Sequence, residues 1–158
     1  MNILILSVGT RNKIVQYFKK EFNGIGNVIA TDMSKLAPAI YEADKYYIVP
    51  KITDKNYIDE IISICKKENI NGVLSLIDPE LSILAKNSDK FEQIGVNIIG
   101  SEYNICESSL DKFIMFKWLE SNNFNCAKTY INLEDFIEDF DKDVISFPVF
   151  VKPNRGSA

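Results

Sequence analysis

The sequence contains no histidine, and its three cysteines, Cys65, Cys106 and Cys126, are widely separated without CxxC spacing. A zinc site of the usual kind is therefore not expected. Dispersed cysteines in odd number are typical of reduced thiols, so we predict a cytoplasmic location. The strand-like segment NILILSVG directly follows Met1, with neither a basic segment before it nor a small-residue cleavage site after it. This arrangement argues against a signal peptide.

The sequence also lacks long hydrophobic runs and an excess of positively charged residues. No apolar run approaches the roughly 20 residues that a membrane-spanning helix needs. The 18 Lys and Arg residues against 22 Asp and Glu residues give a net charge of -4. Binding to a nucleic-acid backbone requires clustered cations, so a nucleic-acid partner is not expected. A chain of 158 residues with 46% hydrophobic and 25% charged residues suits one α/β domain, or one domain and the opening part of another.

Strand-like and helix-like patterns alternate over the first hundred residues. The nearly continuous apolar run at 2–9 indicates a parallel strand that is buried on both faces. Four further strand patterns follow: VIATDM, a segment near Tyr46 to Val49, NGVLSLID and VNIIGS. Segments with apolar residues at helical spacing separate most of these strands. This order predicts an α/β fold with a doubly wound parallel sheet.

The pattern changes after Ser101. The segment SSLDKFIMFKWLESNNF predicts one long amphipathic helix that begins with a capping box formed by Ser108 and Asp111. NLEDFIEDF predicts a shorter helix, and FPVFVKP predicts a final strand. We therefore expect an α/β domain over residues 1–105 and a second, partial domain over residues 106–158.

Candidate ligand-binding residues follow the predicted strands, because open parallel sheets bind ligands beyond the carboxyl ends of their strands. The turn VGTRN offers backbone N–H groups and the cation of Arg11 to an anion. Asp78 and Glu80 are candidate substrate-facing carboxylates, although a helix cap explains Asp78 equally well and the helix dipole favours an acid at Glu80. Asp32 lies at about the spacing of a ribose-binding acid, but without a GxGxxG motif this signal is weak.

Two lysines stand out in the second part of the chain. Lys112 falls in the first turn of the predicted long helix, where the helix dipole disfavours a cation and a nearby phosphate would make one useful. Lys152 ends an apolar strand, where a buried lysine is costly unless an anion pairs with it. The N–H groups of Gly156 and Ser157 could approach phosphate oxygens. Taken in isolation, this segment is better explained as an edge strand before an ordinary turn.

The order of these motifs adds information that no single motif carries. ILILSVGTR, SKLAPAIYEADKYYIVP, LIDPEL, the DK pair and FPVFVKPNRGSA together resemble the ATP-grasp ligases, most closely the group similar to the carbamoyl phosphate synthase large subunit. The resemblance implies a Rossmann-like pre-ATP-grasp domain followed by the incomplete start of an ATP-grasp domain. It also implies that Lys112 and Lys152 bind ATP phosphates, and that a glycine-rich loop over the phosphates begins at Gly156 and Ser157.

The resemblance further implies a reaction in which ATP converts a small-molecule carboxylate to an acyl phosphate, which an amine or similar nucleophile then attacks. Mg²⁺ would neutralise the transferred charge. Because the family's magnesium ligands and active-site arginines lie beyond the loop at Gly156, we expect no catalytic residue and no metal ligand in this chain. We therefore predict the N-terminal portion of a ligase, inactive alone, whose substrate faces Arg11, Asp78 and Glu80.

One alternative is a non-enzymatic α/β subunit that binds a small ligand or a partner chain. Such a partner chain could supply the missing ATP-grasp half, and a homo-oligomer is also compatible with the sequence. Adding the downstream region in trans separates the two readings, because only a split enzyme would recover ATP hydrolysis.

Overall fold

A computed structural model of the chain describes residues 1–156. These residues form two compact units, Met1–Tyr103 and a second unit from Asn104 onward, and each unit is considered by itself. No helix in the described part of the chain is both long enough and apolar enough to cross a membrane.

The first unit contains a five-stranded parallel sheet with the strand order β3-β2-β1-β4-β5. The strands are β1 (Ile3–Leu6), β2 (Val28–Asp32), β3 (Lys45–Ile48), β4 (Gly72–Ser75) and β5 (Asn97–Ile98). The helices are α1 (Asn12–Phe22), a 3₁₀ helix (Pro38–Glu42), α2 (Tyr57–Lys67), α3 (Asp78–Lys86) and α4 (Ser88–Glu92). The five predicted strands are therefore confirmed, whereas the short helix α4 was not predicted.

Both faces of the sheet are covered, because successive side chains of a strand point to opposite faces. Leu4 and Leu6 of β1 belong to a core that includes buried apolar residues of α2, α3 and α4. Ile3 and Ile5 belong to the opposite core, which includes Val15 of α1 and buried residues of the 3₁₀ helix. All four residues of β1 are buried, as expected for a central strand. The predicted doubly wound α/β fold is thus confirmed.

Glu68, directly after α2, forms hydrogen bonds with two side chains of the edge strand β3. Its carboxylate accepts hydrogen bonds from Lys45 Nζ at 2.7 Å and from Tyr47 Oη at 2.5 Å. The residue is only 8% exposed, so these bonds are largely shielded from water. The bond from Lys45, together with that from Tyr47, holds the pKa of Glu68 below its ordinary value of 4.5.

The substitution Glu68→Gln is expected to lower the free energy of unfolding by about 1 kcal/mol at neutral pH, since it removes the charge from two hydrogen bonds. A lowered folded-state pKa makes this contribution fully present above pH 4.5 and lost as the pH falls through the folded-state pKa. Urea unfolding of both proteins across this range should show the difference vanishing in acid. Glu21→Gln, at an exposed position of α1, is the control. A difference that does not depend on pH would contradict the assignment.

The second unit contains α5 (Tyr103–Leu110), α6 (Lys112–Ser121) and α7 (Leu133–Asp141). The prediction of one long helix is wrong, because Asp111 has an extended backbone and separates α5 from α6. Its carboxylate accepts the N–H of Ile114 and so caps α6. The capping box at Ser108 is also wrong, since this residue lies within α5 and its hydroxyl donates to the Asn104 carbonyl. Aspartate side chains compete for backbone N–H groups, which favours them at helix starts over helix interiors.

The predicted final strand is not formed. Residues 145–152 have no regular secondary structure, and Phe150 and Val151 are 98% and 94% exposed. A strand is stabilised by a neighbouring strand that pairs with its N–H and C=O groups, and within residues 1–156 none pairs with this segment. Just after this segment, an isolated antiparallel β-bridge pairs Arg155 with Asp111.

Candidate functional site

The first candidate site lies where β1 and β4 are neighbours in the sheet. The helix that follows β1 packs on one face and the helix that follows β4 packs on the other. The connections therefore diverge at the carboxyl ends of these two strands. In open α/β sheets this divergence opens the crevice in which ligands bind.

The turn from Ser7 to Arg11 forms one side of this crevice. The N–H of Gly9 donates to Asp32 Oδ2 at 2.8 Å, and Gly9 has a φ of 52°, a conformation that favours glycine. Arg11 is exposed and immediately precedes α1. Its guanidinium is close to the turn, because a Cβ at Gly9 would lie 3.4 Å from Arg11 Nη1. The substrate-binding role of Arg11 stays a prediction.

Both carboxylate oxygens of Asp32 accept hydrogen bonds from backbone N–H groups in turns. Its Oδ2 accepts the Gly9 N–H, and its Oδ1 accepts the Ser34 N–H at 2.9 Å. The residue is only 8% exposed. The carboxylate thus joins the turn after β2 to the turn after β1, and the weak ribose-binding interpretation gains no support from this geometry.

Asp78 is exposed and is the first residue of α3. The predicted helix cap at Asp78 is wrong, since Ile77 occupies the N-cap position. No side chain at that position accepts a hydrogen bond from the first N–H groups of α3. The Ser75 hydroxyl accepts the Ile77 N–H at 3.1 Å, so the residues before Asp78 already form a turn that leads into the helix. The substrate-binding role of Asp78 stays a prediction.

Glu80 is fully buried and does not face solvent, which does not fit the predicted direct contact with a substrate. Its Oε1 accepts hydrogen bonds from Ser7 Oγ at 2.9 Å and from Tyr57 Oη, and its Oε2 accepts one from Ser75 Oγ. Burial raises the pKa of Glu80 above 4.5, although the three hydroxyl groups oppose this shift; the charge of Asp32 adds to it. Burial likewise raises the pKa of Tyr57.

The three hydroxyl partners of Glu80 were not predicted from the sequence. Ser7 and Ser75 are polar residues at the ends of apolar strands, which is the signal that could have drawn attention to them. Tyr57 carries no such signal, since a tyrosine in the first turn of a helix is ordinary on a surface.

The second candidate site lies at the start of α6 in the second unit. Asn154 organises it: its backbone carbonyl accepts the Lys112 N–H at 3.0 Å, and its Oδ1 accepts the Phe113 N–H at 3.0 Å. Its Nδ2 donates to Asp111 Oδ2 at 2.9 Å. The N–H of Ile114 holds the pKa of Asp111 below its ordinary value of 3.8. The sequence analysis singled out neither of these two side chains as part of a binding site.

Lys112 is the first residue of α6, as predicted, and its ammonium group lies beside the glycine turn. Nζ donates to the Gly156 carbonyl at 2.6 Å and to the Asn154 carbonyl at 3.4 Å. Both acceptors are neutral, so no carboxylate among residues 1–156 neutralises Lys112. Lys152 is exposed and likewise has no acidic partner in the described part of the chain. Two uncompensated cations in the second unit suit an anionic group.

Gly156 has a φ of 99°, which a residue with a side chain rarely adopts. Ser157, the other predicted loop residue, lies outside the described residues. Among the residues that the structure describes, no group of three or more acidic or cysteine side chains could hold a metal ion.

A family model described as "PylC-like, N-terminal domain" matches residues 3–99, which includes the whole sheet and the first candidate site. The chain belongs to this family. The match ends before the second unit begins, so Lys112 and Lys152 lie outside the part that the PylC-like family model covers.

Relatives of this PylC-like chain include ligases. Phosphoribosylamine–glycine ligase of Methanobrevibacter smithii is 24% identical over 163 residues, which cover 99% of this chain and 35% of that enzyme. N5-carboxyaminoimidazole synthetase from Staphylococcus aureus, solved in complex with ADP, has a TM-score of 0.69 at 17% identity over 99% of this chain and 39% of that one. L-amino acid ligase from Bacillus licheniformis has a TM-score of 0.65 at 16% identity, over 98% and 37% of the two chains.

A third structure shows the same fold with a nucleotide and a metal. The biotin carboxylase domain of Hydrogenobacter thermophilus 2-oxoglutarate carboxylase, in complex with MgADP, ADP and bicarbonate, has a TM-score of 0.63 at 17% identity over 99% of this chain and 35% of that one. The match to the PylC-like family model, together with the phosphoribosylamine–glycine ligase relative, confirms the predicted recognition of an ATP-grasp ligase, and the solved structures show the shared fold. The chain spans only about a third to two fifths of the length of these relatives.

Proposed function

We propose that this chain is the N-terminal portion of an ATP-dependent ligase that joins a small-molecule carboxylate to an amine or a similar nucleophile through an acyl phosphate. Residues 1–105 bind the carboxylate substrate, with Arg11 and Asp78 at the crevice. Residues 106–158 begin the ATP-grasp domain. Lys112, Lys152 and the loop at Gly156 and Ser157 contact the phosphates.

The observation that carries this proposal is a lysine, Lys112, that lies beside the glycine turn without an acidic partner among the described residues. Lys112 Nζ bonds only to neutral carbonyl oxygens, and one of them belongs to Gly156. No carboxylate of the described residues pairs with this lysine, and polyphosphate oxygens are strong acceptors for an ammonium group. The residues present therefore fit the phosphate part of ATP.

The chemistry of these residues is electrostatic. Lys112 and Lys152 orient the phosphate oxygens and offset their negative charge, and the lack of a side chain at Gly156 leaves room for a phosphate beside the turn. When bound, ATP supplies the phosphoryl group that activates the carboxylate, and Mg²⁺ neutralises charge on the phosphates. The metal ligands and a full nucleotide pocket belong, in this proposal, to protein outside the 158 residues. The chain alone is therefore inactive, and we expect the assembled enzyme to work in the cytoplasm.

Nucleotide binding tests the proposal. The chain would be combined with the polypeptide encoded directly downstream, in one frame or as a separate chain, and ATP binding would be measured by equilibrium dialysis. Lys112→Ala and Lys152→Ala should each weaken ATP binding about tenfold or more, which corresponds to about 1.4 kcal/mol for the loss of one charged contact. Lys117→Ala is the matched control, because this lysine also lies on α6 but pairs with Glu120 at 3.0 Å.

Equal ATP affinity in all three variants would contradict the assignment of Lys112 and Lys152. If the downstream polypeptide restores ATP hydrolysis, the chain is part of a split or longer enzyme. If it restores neither hydrolysis nor binding, the non-enzymatic binding subunit becomes the better reading.

A further inference from the structure

A buried polar cluster lies directly behind the turn from Ser7 to Arg11. It consists of Ser7 after β1, Tyr57 at the start of α2, Ser75 at the end of β4 and Glu80 in the first turn of α3. We call these four residues the Glu80 cluster. Its hydrogen bonds connect segments up to 73 residues apart in the sequence. The cluster therefore ties together the elements that surround the crevice.

The Glu80 cluster can be fully hydrogen-bonded in two protonation states. With Glu80 ionised, the hydroxyl groups of Ser7, Tyr57 and Ser75 each donate their one proton to the carboxylate. With Glu80 protonated at Oε2, this new O–H donates to Ser75 Oγ instead. The Ser75 hydroxyl then donates to the Ile77 carbonyl, which already lies 3.1 Å away.

Neither state requires a heavy atom to move. Ser75 Oγ still accepts the Ile77 N–H at 3.1 Å when it also accepts from Glu80, so both lone pairs are used. Ser7 and Tyr57 continue to donate to Oε1 in both states. The proton that distinguishes the two states comes from solvent. The charged groups that face Glu80 are few: Asp32 acts on it from the turn after β2, and Tyr57 is the other titratable neighbour.

Ser7 transmits the position of Glu80 to the turn. Its φ is 49°, in the left-handed region that few residues other than glycine adopt, and such a conformation persists only when neighbouring groups hold it. The hydrogen bond from Ser7 Oγ to Glu80 is the side-chain contact that holds it. Gly9 and Arg11 follow within the same turn, and their backbone N–H groups bond to Asp32 and to the Val8 carbonyl.

We propose that Glu80 is a positioning residue, which fixes Ser7 and thereby the Ser7–Arg11 turn from behind the crevice in both of its protonation states. That the turn faces a substrate rests on the proposed function; that Glu80 sets its conformation rests on the hydrogen bonds alone. Glu80 thus acts on a ligand through the turn and without touching it.

Two single-hydroxyl variants give a matched test of this role. Ser7→Ala and Tyr57→Phe each remove one donor to the same Glu80 oxygen, but only Ser7 belongs to the turn. Amide hydrogen exchange of the whole chain should show the Gly9 N–H exchanging about tenfold faster in Ser7→Ala, relative to the Ile5 N–H of β1. In Tyr57→Phe this ratio should stay within about twofold of the unsubstituted protein. Equal effects of the two variants on Gly9 would overturn the proposal.

The protonation of Glu80 is tested by following amide chemical shifts with pH. The unsubstituted chain should show one shared titration at Ser7 and Ile77, with a midpoint above 4.5. Glu80→Gln imitates the protonated state, because its NH₂ group can donate to Ser75; it should keep the turn resonances and lose this titration. A titration that persists in Glu80→Gln would overturn the proposal. Failure of the downstream polypeptide to restore ATP binding or hydrolysis would refute the proposed function and leave these results unaffected.

Discussion

Replacement of Glu80 by alanine is expected to lower the free energy of unfolding of the first unit by about 3 kcal/mol. The substitution removes the acceptor of the buried Tyr57 hydroxyl and of the half-buried Ser7 hydroxyl, and a buried unsatisfied group costs about 1 to 3 kcal/mol. It also opens a cavity at a fully buried position. Since whole domains are stable by about 5 to 15 kcal/mol, such a loss is large.

Glu80→Gln should be much less harmful, and its effect should depend on pH. Because burial raises the pKa of Glu80 in the folded state, its contribution to stability is fully present below the ordinary value of 4.5 and is lost as the pH rises through the folded-state pKa. Glutamine does not titrate, so the variant should gain stability relative to the unsubstituted protein as the pH rises.

Urea unfolding of the two Glu80 variants at several pH values measures both effects. Glu92→Ala, at an exposed position of α4, is the control and should change stability by less than about 0.5 kcal/mol. If Glu80→Ala were as stable as this control, the hydrogen-bonded cluster would not support the fold. If the stability of Glu80→Gln ran parallel to that of the unsubstituted protein at every pH, Glu80 would not titrate in the folded state.

The role of Glu80 shows where sequence reasoning ends. The parallel sheet could be predicted because β1 is a continuous apolar run and because the apolar positions of α1 and α2 recur at helical spacing. An acid shortly after a strand, in contrast, gives the same pattern whether its carboxylate points to solvent or to the interior. The direction is decided by Ser7 and Tyr57, which are 73 and 23 residues away in the sequence.

Further errors fell in the second unit, for a related reason. The apolar pattern runs without interruption through Asp111, so the break between α5 and α6 depends on a bond to the Ile114 N–H that periodicity does not report. The segment 145–152 has the composition of a strand, yet a strand is defined by its neighbours. The role of Asn154 could not be predicted, because it depends on three partners that are about 40 residues away in the sequence. These are the backbone N–H groups of Lys112 and Phe113 and the carboxylate of Asp111.

Limited proteolysis is expected to remove the region after Ser101 well before it cuts the sheet. Within residues 104–156, Cys106 and Phe116 are the only apolar side chains that are buried. Large apolar side chains there are widely exposed, among them Leu133 at 70% and Phe147 at 64%. Segments with few buried apolar contacts open at low free energy, and proteases cut opened segments.

Chymotrypsin offers an internal comparison, since both units contain phenylalanine. Cleavage after Phe124 and Phe150, which are 56% and 98% exposed, should be at least about tenfold faster than cleavage after Phe91, which is fully buried. Mass spectrometry of early time points should therefore show a persistent fragment that extends from Met1 to the neighbourhood of Tyr103. Equal rates of cleavage after Phe91 and Phe150 would contradict the expectation.

Repeating the digestion at several protein concentrations identifies what the exposed apolar residues do in solution. If copies of the chain associate through them, the cleavage rate after Phe124 and Phe150 should fall as the concentration rises, because bound surfaces are withheld from the protease. If only the downstream polypeptide covers them, dilution should have no effect and its addition should protect both sites. A further result would be that the downstream polypeptide both protects these sites and gives ATP binding that depends on Lys112 and Lys152. That result would show that the exposed apolar residues belong to the interior of a nucleotide-binding domain.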